Sequence, residues 1–376
     1  MATISEAHAV RRARLRARRA AAGDAALLVS RPANVWYLTG AAPSGAVLLV
    51  LPGQSAPDAD VLVVPPRGAL AGGAPPEADD ALRLLPLTDD SDPALVAAGL
   101  AADAGVTSLE VEEHHLTVAR HRELAARAAG LKLGDLDCAV EHQRLVKDEE
   151  EIAALRTAAE ITDRALGELL ESILVGRTER HLALELERRL IDHGAEGAAF
   201  PTSVATGSHA GVPGHRPTDR RVEEGDFLTV RMGARYRGYR CQIGRTFVIG
   251  SRPADWQIDL YDLVFTAQRA AREALAPGTE YRAVDQAARS VLDAAGHGAA
   301  LGPVTGHGVG LEIGEDPRLS PVAMGRLDPC VPVTVEPGVH LPGRGGVRID
   351  DTLVVRPSTD GGPELLTITT KELLAL

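Results

Sequence analysis

Glu336 and Asp350 flank Pro342-Gly343-Arg344-Gly345-Gly346, a run that reads as the turn of a hairpin. Residues opposite each other in a hairpin have a constant index sum, so this turn sets Glu336 facing Asp350. Two carboxylates side by side form a metal site, an acid/base dyad or the anchor for a buried cation. A second hairpin runs from Asp226 to Ile249 with a turn near Tyr236-Arg237-Gly238, which sets Arg231 opposite Gln242. His307 lies in Thr305-Gly306-His307-Gly308-Val309-Gly310, where the glycines let backbone approach a neighbour closely. A glycine-flanked histidine alone is a turn residue. Three polar groups at fixed strand positions are a site.

The elements that must position these groups follow from the apolar patterning. The chain has 376 residues with 45% hydrophobic and only 3% aromatic residues. At roughly 100–200 residues per domain, that length predicts two domains or three at most. Residues 1–140 alternate short apolar strands (25–30, 46–51, 60–64, 82–86, 108–111) with alanine-rich helical stretches, and Pro52-Gly53 and Gly72-Gly73-Ala74-Pro75-Pro76 mark turns. This is an α/β domain with a central sheet. Acidic residues favour a helix start, so Lys147-Asp148-Glu149-Glu150-Glu151 opens a helix and a second domain spans 141–376. In that domain a helix pair (149–175, 179–194) precedes strands at 200–206, 226–233 and 240–249. A second pair (254–275, 280–296) precedes strands at 304–311, 331–336 and 347–355. The repeat predicts a pseudo-twofold α+β domain on either side of residue 251.

Charge and cysteines narrow the function class. With 40 Lys+Arg against 52 Asp+Glu the net charge is −12, which argues against nucleic acid or an anionic membrane as partner. No apolar run approaches the ~20 residues of a membrane span. Cys138, Cys241 and Cys330 are odd in number and widely spaced, so no disulfide framework is expected and the chain reads as cytoplasmic. Arg11, Arg12, Arg14, Arg16, Arg18 and Arg19 form a basic run without the serines of a transit peptide. It is expected to be a solvated first helix.

Taken together, Gly306-His307-Gly308-Val309-Gly310-Leu311-Glu312-Ile313, Val335-Glu336-Pro337-Gly338 and Gly346-Val347-Arg348-Ile349-Asp350-Asp351-Thr352 resemble the pita-bread metallopeptidase family of prolidase, aminopeptidase P, methionine aminopeptidase and the metal-free creatinase. Phe200-Pro201-Thr202, Pro217-Thr218-Asp219-Arg220, Glu224-Gly225-Asp226 and Arg245-Thr246-Phe247 extend the resemblance. Asn34 to Gly40 resembles the creatinase/prolidase N-terminal domain. The resemblance implies a creatinase/prolidase-like domain at 1–140, a pita-bread domain at 141–376, and a homodimer through the N-terminal domain. It also implies a dimetal centre of Asp, Asp, His, Glu and Glu, whose positions here are Arg231, Gln242, His307, Glu336 and Asp350. Two assisting histidines of the family fall on Gly314 and Gly214, and His215 is the neighbour that could substitute for the second.

Hard divalent ions want carboxylate oxygens, and Arg231 adds a cation that cannot lose its proton. Two divalent ions would bring twice the positive charge that Glu336 and Asp350 neutralise. No metal and no cofactor are therefore expected, and a guanidinium across from the carboxylates would replace the ions, with several donors in fork geometry. His307, Glu336, Asp350 and His215 are the expected catalytic residues, and Arg231, Gln242 and Arg348 the ligand-binding ones. The expected function is metal-free hydrolysis of a C–N bond, or binding of a small peptide-like or amidine-like ligand, in the old peptidase pocket. A non-catalytic binding or assembly protein and a single-metal Xaa-Pro dipeptidase remain as alternatives.

Overall fold

The computed structural model describes residues 4–20, 23–53, 60–66, 82–128, 130–172, 174–250 and 252–376. The Gly72–Pro76 turn expected from the sequence lies outside the described residues. Two compact units divide between Arg144 and Leu145. The division falls just past the expected residue 140 because the short helix Ala139–Arg144 packs with the first unit's helices Ile4–Ala20 and Pro32–Thr39.

The first unit holds a six-stranded sheet in the order Leu82–Pro86, Asp60–Val64, Val47–Val50, Ala26–Val29, Ser108–Val111, Lys132–Asp135. The three central apolar strands are buried throughout, as their Leu/Val content requires. Lys132–Asp135 was not expected to be a strand. It occupies a sheet edge, where Lys-Leu-Gly-Asp is tolerated and a periodic apolar signal is lost. The basic helix Ile4–Ala20 is not solvated all round. Arg12 is 1% exposed with its Nε 2.7 Å from Asp60 Oδ2, and Arg16 and Arg19 pair with Asp60 and Glu110. Asp60, buried at the start of a core strand, requires that cation.

The second unit opens at the helix Glu149–Leu170, whose N-cap Asp148 and Glu151 form a reciprocal capping box. Its helix pairs are Glu149–Leu170 with Glu179–Asp192, and Asp255–Glu273 with Tyr281–Ala294. Each pair is followed by an antiparallel sheet with matching order. In the first half Phe227–Met232 lies between Ser203–Thr206 and Ile243–Val248. In the second, Pro332–Val335 lies between Gly306–Val309 and Asp351–Val354. This is the pseudo-twofold arrangement. Ile313–Leu319, a further edge strand containing Glu315, Asp316 and Pro317, was hidden by that polar composition. An apolar core that includes Phe227, Val264, Leu292, Val333 and Val347 packs the second helix pair against the strands.

The two sheets meet at Gly244 and Asp350. Their backbones exchange hydrogen bonds of 3.1 and 3.0 Å. A Cβ on Gly244 would lie 2.5 Å from Asp350 Cγ, so only glycine permits the approach. Among the described residues no helix is long and apolar enough to cross a membrane.

Candidate functional site

The meeting of the two sheets brings Arg231, Gln242, His307, Glu336, Arg348 and Asp350 into one network. The pairs Val335–Asp351 and Gly338–Arg348 keep a common register on either side, so Glu336 and Asp350 face each other as expected. The other hairpin differs. Arg231 pairs with Gly244, not with Gln242, because the turn is centred one residue later, on Arg237 and Gly238. Both have positive φ (48° and 77°), the requirement of a tight two-residue hairpin turn. The register moves by two residues, so Arg231 and Gln242 still share a face.

Glu336 and Asp350 are almost wholly buried; Glu336 Oε2 and both oxygens of Asp350 accept hydrogen bonds, and Glu336 Oε1 faces His307. Arg348 Nε donates to both oxygens of Asp350 (2.8 and 2.9 Å), and its Nη2 donates to Glu336 Oε2 (2.6 Å). Gln242 Nε2 donates to Glu336 Oε2 (2.5 Å) and Asp350 Oδ2 (2.9 Å). Gln242 Oε1 in turn accepts from Arg231 Nη2 (2.8 Å). Arg231 keeps longer distances to the acids, 3.6 Å to Glu336 and 3.5 Å to Asp350, and its buried Nε finds no hydrogen-bond partner. Its guanidinium lies 4.6 Å from the centre of the Phe200 ring, a cation–π contact that the residue pattern did not reveal. His307 Nδ1 sits 3.0 Å from its neighbour's carbonyl at Gly308, which aims Nε2 at Glu336 Oε1, 3.6 Å away.

This geometry redistributes the roles read from the sequence. Gln242 and Arg348, expected to face a ligand, direct Gln242 Nε2 and Arg348 Nε and Nη2 to the two acids inside the network. Arg348 is thus the principal counterion of the two acids, a part expected of Arg231. His215 is outside the group; its Nε2 lies 2.9 Å from Glu179 Oε2. Glu179 and His209, which join it there, carried no signal in sequence beyond an acidic first turn and a loop histidine.

Burial works against charge on Glu336, but Arg348, His307 and Arg231 together with the Gln242 hydrogen bond outweigh it, holding the carboxyl at about 2. Burial raises Asp350, and the neighbouring Glu336 charge adds to the rise against the pull of Arg348. Arg231 is lowered by burial and by the like charge of Arg348. A carboxylate whose folded pKa lies below its unfolded one stabilises the fold above the unfolded value and loses that contribution as pH falls. Glu336 therefore contributes stability at neutral pH that disappears between about 5 and 2. Urea denaturation at pH 7 and pH 4 should show a smaller acid-induced loss for Glu336→Gln than for wild type. Equal losses would show that Glu336 is not the group responsible.

The described part of this architecture has known counterparts. Residues 153–357 match the model of metallopeptidase family M24, and residues 11–146 match the creatinase/prolidase N-terminal domain. An Xaa-Pro dipeptidase of Pyrococcus horikoshii is 33% identical over 351 residues, covering 93% of this chain and 94% of its own. The Xaa-Pro dipeptidase from Bacillus anthracis superposes with a TM-score of 0.86 at 28% identity, over 98% of this chain and 100% of its own. The prolidase from Pyrococcus horikoshii gives 0.84 at 30% identity, over 96% and 99%. With both domains matched in order, the chain belongs to the M24 metallopeptidase family, among its Xaa-Pro dipeptidase/prolidase-type members with a creatinase-type N-terminal domain and a pita-bread C-terminal domain.

Proposed function

We propose that this chain is a metal-independent member of the family whose cleft binds a short peptide-like ligand, with Arg231 receiving an anionic group of that ligand. The observation that carries the reading is the engagement of the acids: Arg348 and Gln242 already hold Glu336 Oε2 and Asp350, three of the four carboxylate oxygens that a pair of divalent ions would need. The family's two-metal set does not fit these residues. Of its five positions, two carry Arg231 and Gln242, and the two remaining carboxylates are balanced by Arg231 and Arg348 without any ion. A guanidinium beside the acids would repel a divalent cation.

Arg231 is suited to an incoming carboxylate. Its charge is desolvated, faces the like charge of Arg348 and is 29% exposed. Phe200 offers an apolar face beside it. Glu336, held near 2, is too weak a base to activate water at neutral pH. His307, whose Nε2 lies 3.6 Å from Glu336 Oε1, is the imidazole through which any hydrolysis of a ligand's C–N bond would run.

A second reading, a metal-dependent Xaa-Pro dipeptidase, draws on the similarity to Xaa-Pro dipeptidases across 93% of the chain. Incubation with Ala-Pro and Leu-Pro in EDTA and in manganese separates the two. The metal-independent reading predicts dipeptide binding by calorimetry that Arg231→Ala abolishes, and no manganese-stimulated release of proline. Manganese-stimulated release that His307→Ala removes would establish the second reading.

A further inference from the structure

A separate group of side chains converges on one carboxylate outside the cleft network. Glu179 begins the helix Glu179–Asp192, and its side chain is wholly buried. Its Oε1 accepts from the Thr206 amide (2.8 Å) and lies 3.0 Å from His209 Nδ1. Its Oε2 accepts from the Thr218 amide (2.9 Å) and hydroxyl (2.7 Å) and lies 2.9 Å from His215 Nε2. The two imidazoles lie against each other with ring centres 4.4 Å apart. One ligand atom from each of the three residues falls within 4.8 Å of the others. His209 is 32% and His215 10% exposed, so the group opens to solvent on the histidine side.

We propose that Glu179, His209 and His215 bind one divalent transition-metal ion of the zinc class, with the remaining coordination position open to water. Two imidazoles and one carboxylate are a donor set that suits a borderline-soft ion, unlike the all-oxygen set of calcium or magnesium. The threonine donors are the outer-sphere support such a site needs, because they hold the carboxylate in place when the imidazole protons give way to the ion. Among the described residues no arginine or lysine pairs with Glu179, so its charge is free to neutralise the ion. A second group, His114, Cys138 and Glu141, lacks that property, since Arg31 already pairs with Glu141 at 3.1 Å. Ligation requires both ring nitrogens unprotonated, so affinity falls as pH drops.

The site shares no residue with the cleft network, which makes the two readings separable. EDTA-treated full-length protein is titrated with zinc by calorimetry and with cobalt by visible ligand-field absorption. The expected result is one zinc per chain. His209→Ala and His215→Ala should each weaken it by more than the roughly 10–100-fold that loss of an outer-sphere partner costs, and His307→Ala should leave it unchanged. His209→Ala alters a partly exposed loop side chain, and its melting curve verifies that the fold is kept. Absence of saturable zinc binding, or binding that both histidine variants retain, would overturn the proposal. Zinc lost with His307→Ala would place the ion in the cleft, overturning this proposal and the metal-independent reading together.

Discussion

Arg348→Ala is expected to unfold far more readily than wild type at neutral pH, and Arg231→Ala only slightly more readily. Arg348 makes direct hydrogen bonds to both buried acids, and burial-opposed attraction to Asp350 and Glu336 raises its own pKa. Removing it leaves Glu336 and Asp350 facing each other with Gln242 and a more distant guanidinium. Breaking a buried ion pair by deleting one partner costs roughly 3–5 kcal/mol. Arg231 contributes one good hydrogen bond, to Gln242, and its charged form is disfavoured where it sits. Its loss should cost about 1 kcal/mol, the size of an ordinary hydrogen bond. Urea denaturation at pH 7 reads both values. Equal destabilisation by the two variants would return Arg231 to the part of internal counterion and remove the reason for assigning it to a ligand.

The second large effect is a gain of metal binding. Arg231→Asp combined with Gln242→Asp places carboxylates at the two positions that the sequence resemblance gives to acidic metal ligands, beside His307, Glu336 and Asp350. Without metal, four carboxylates would then crowd one buried space with Arg348 as their cation, so the double variant should melt well below wild type. Manganese should reverse this. A ligand at a hundred times its Kd stabilises a fold by about 2.7 kcal/mol, enough for a clear manganese-dependent rise in Tm that wild type lacks. A double variant indifferent to manganese would show that the cleft differs from a dimetal site by more than these two side chains.

The contributions of sequence and structure divide along physical lines. Apolar runs such as Val47–Val50 and the paired amphipathic helices are legible because core burial imposes their periodicity. The facing of Glu336 and Asp350 is legible because the glycine-rich turn between them sets a register. The edge strands Lys132–Asp135 and Ile313–Leu319 are not, since an edge accepts glycine, proline and charge. The other hairpin's register was missed by two residues because a turn on Arg237 requires a non-glycine residue at positive φ, which composition does not advertise. The parts played by Arg348 and Gln242 depend on which donor reaches which oxygen, and the grouping of Glu179 with His209 and His215 depends on folding across the intervening strand. Neither is a property of spacing.

A manganese titration of wild-type protein followed by calorimetry, with His307→Ala in parallel, tests the central claim most directly. His307 holds the position that the sequence resemblance gives to a metal ligand and lies 3.6 Å from Glu336, so an ion in the cleft would be expected to depend on it. Metal independence predicts no manganese uptake that differs between wild type and His307→Ala. One or two manganese ions per chain, bound tightly by wild type and lost with His307→Ala, would contradict it.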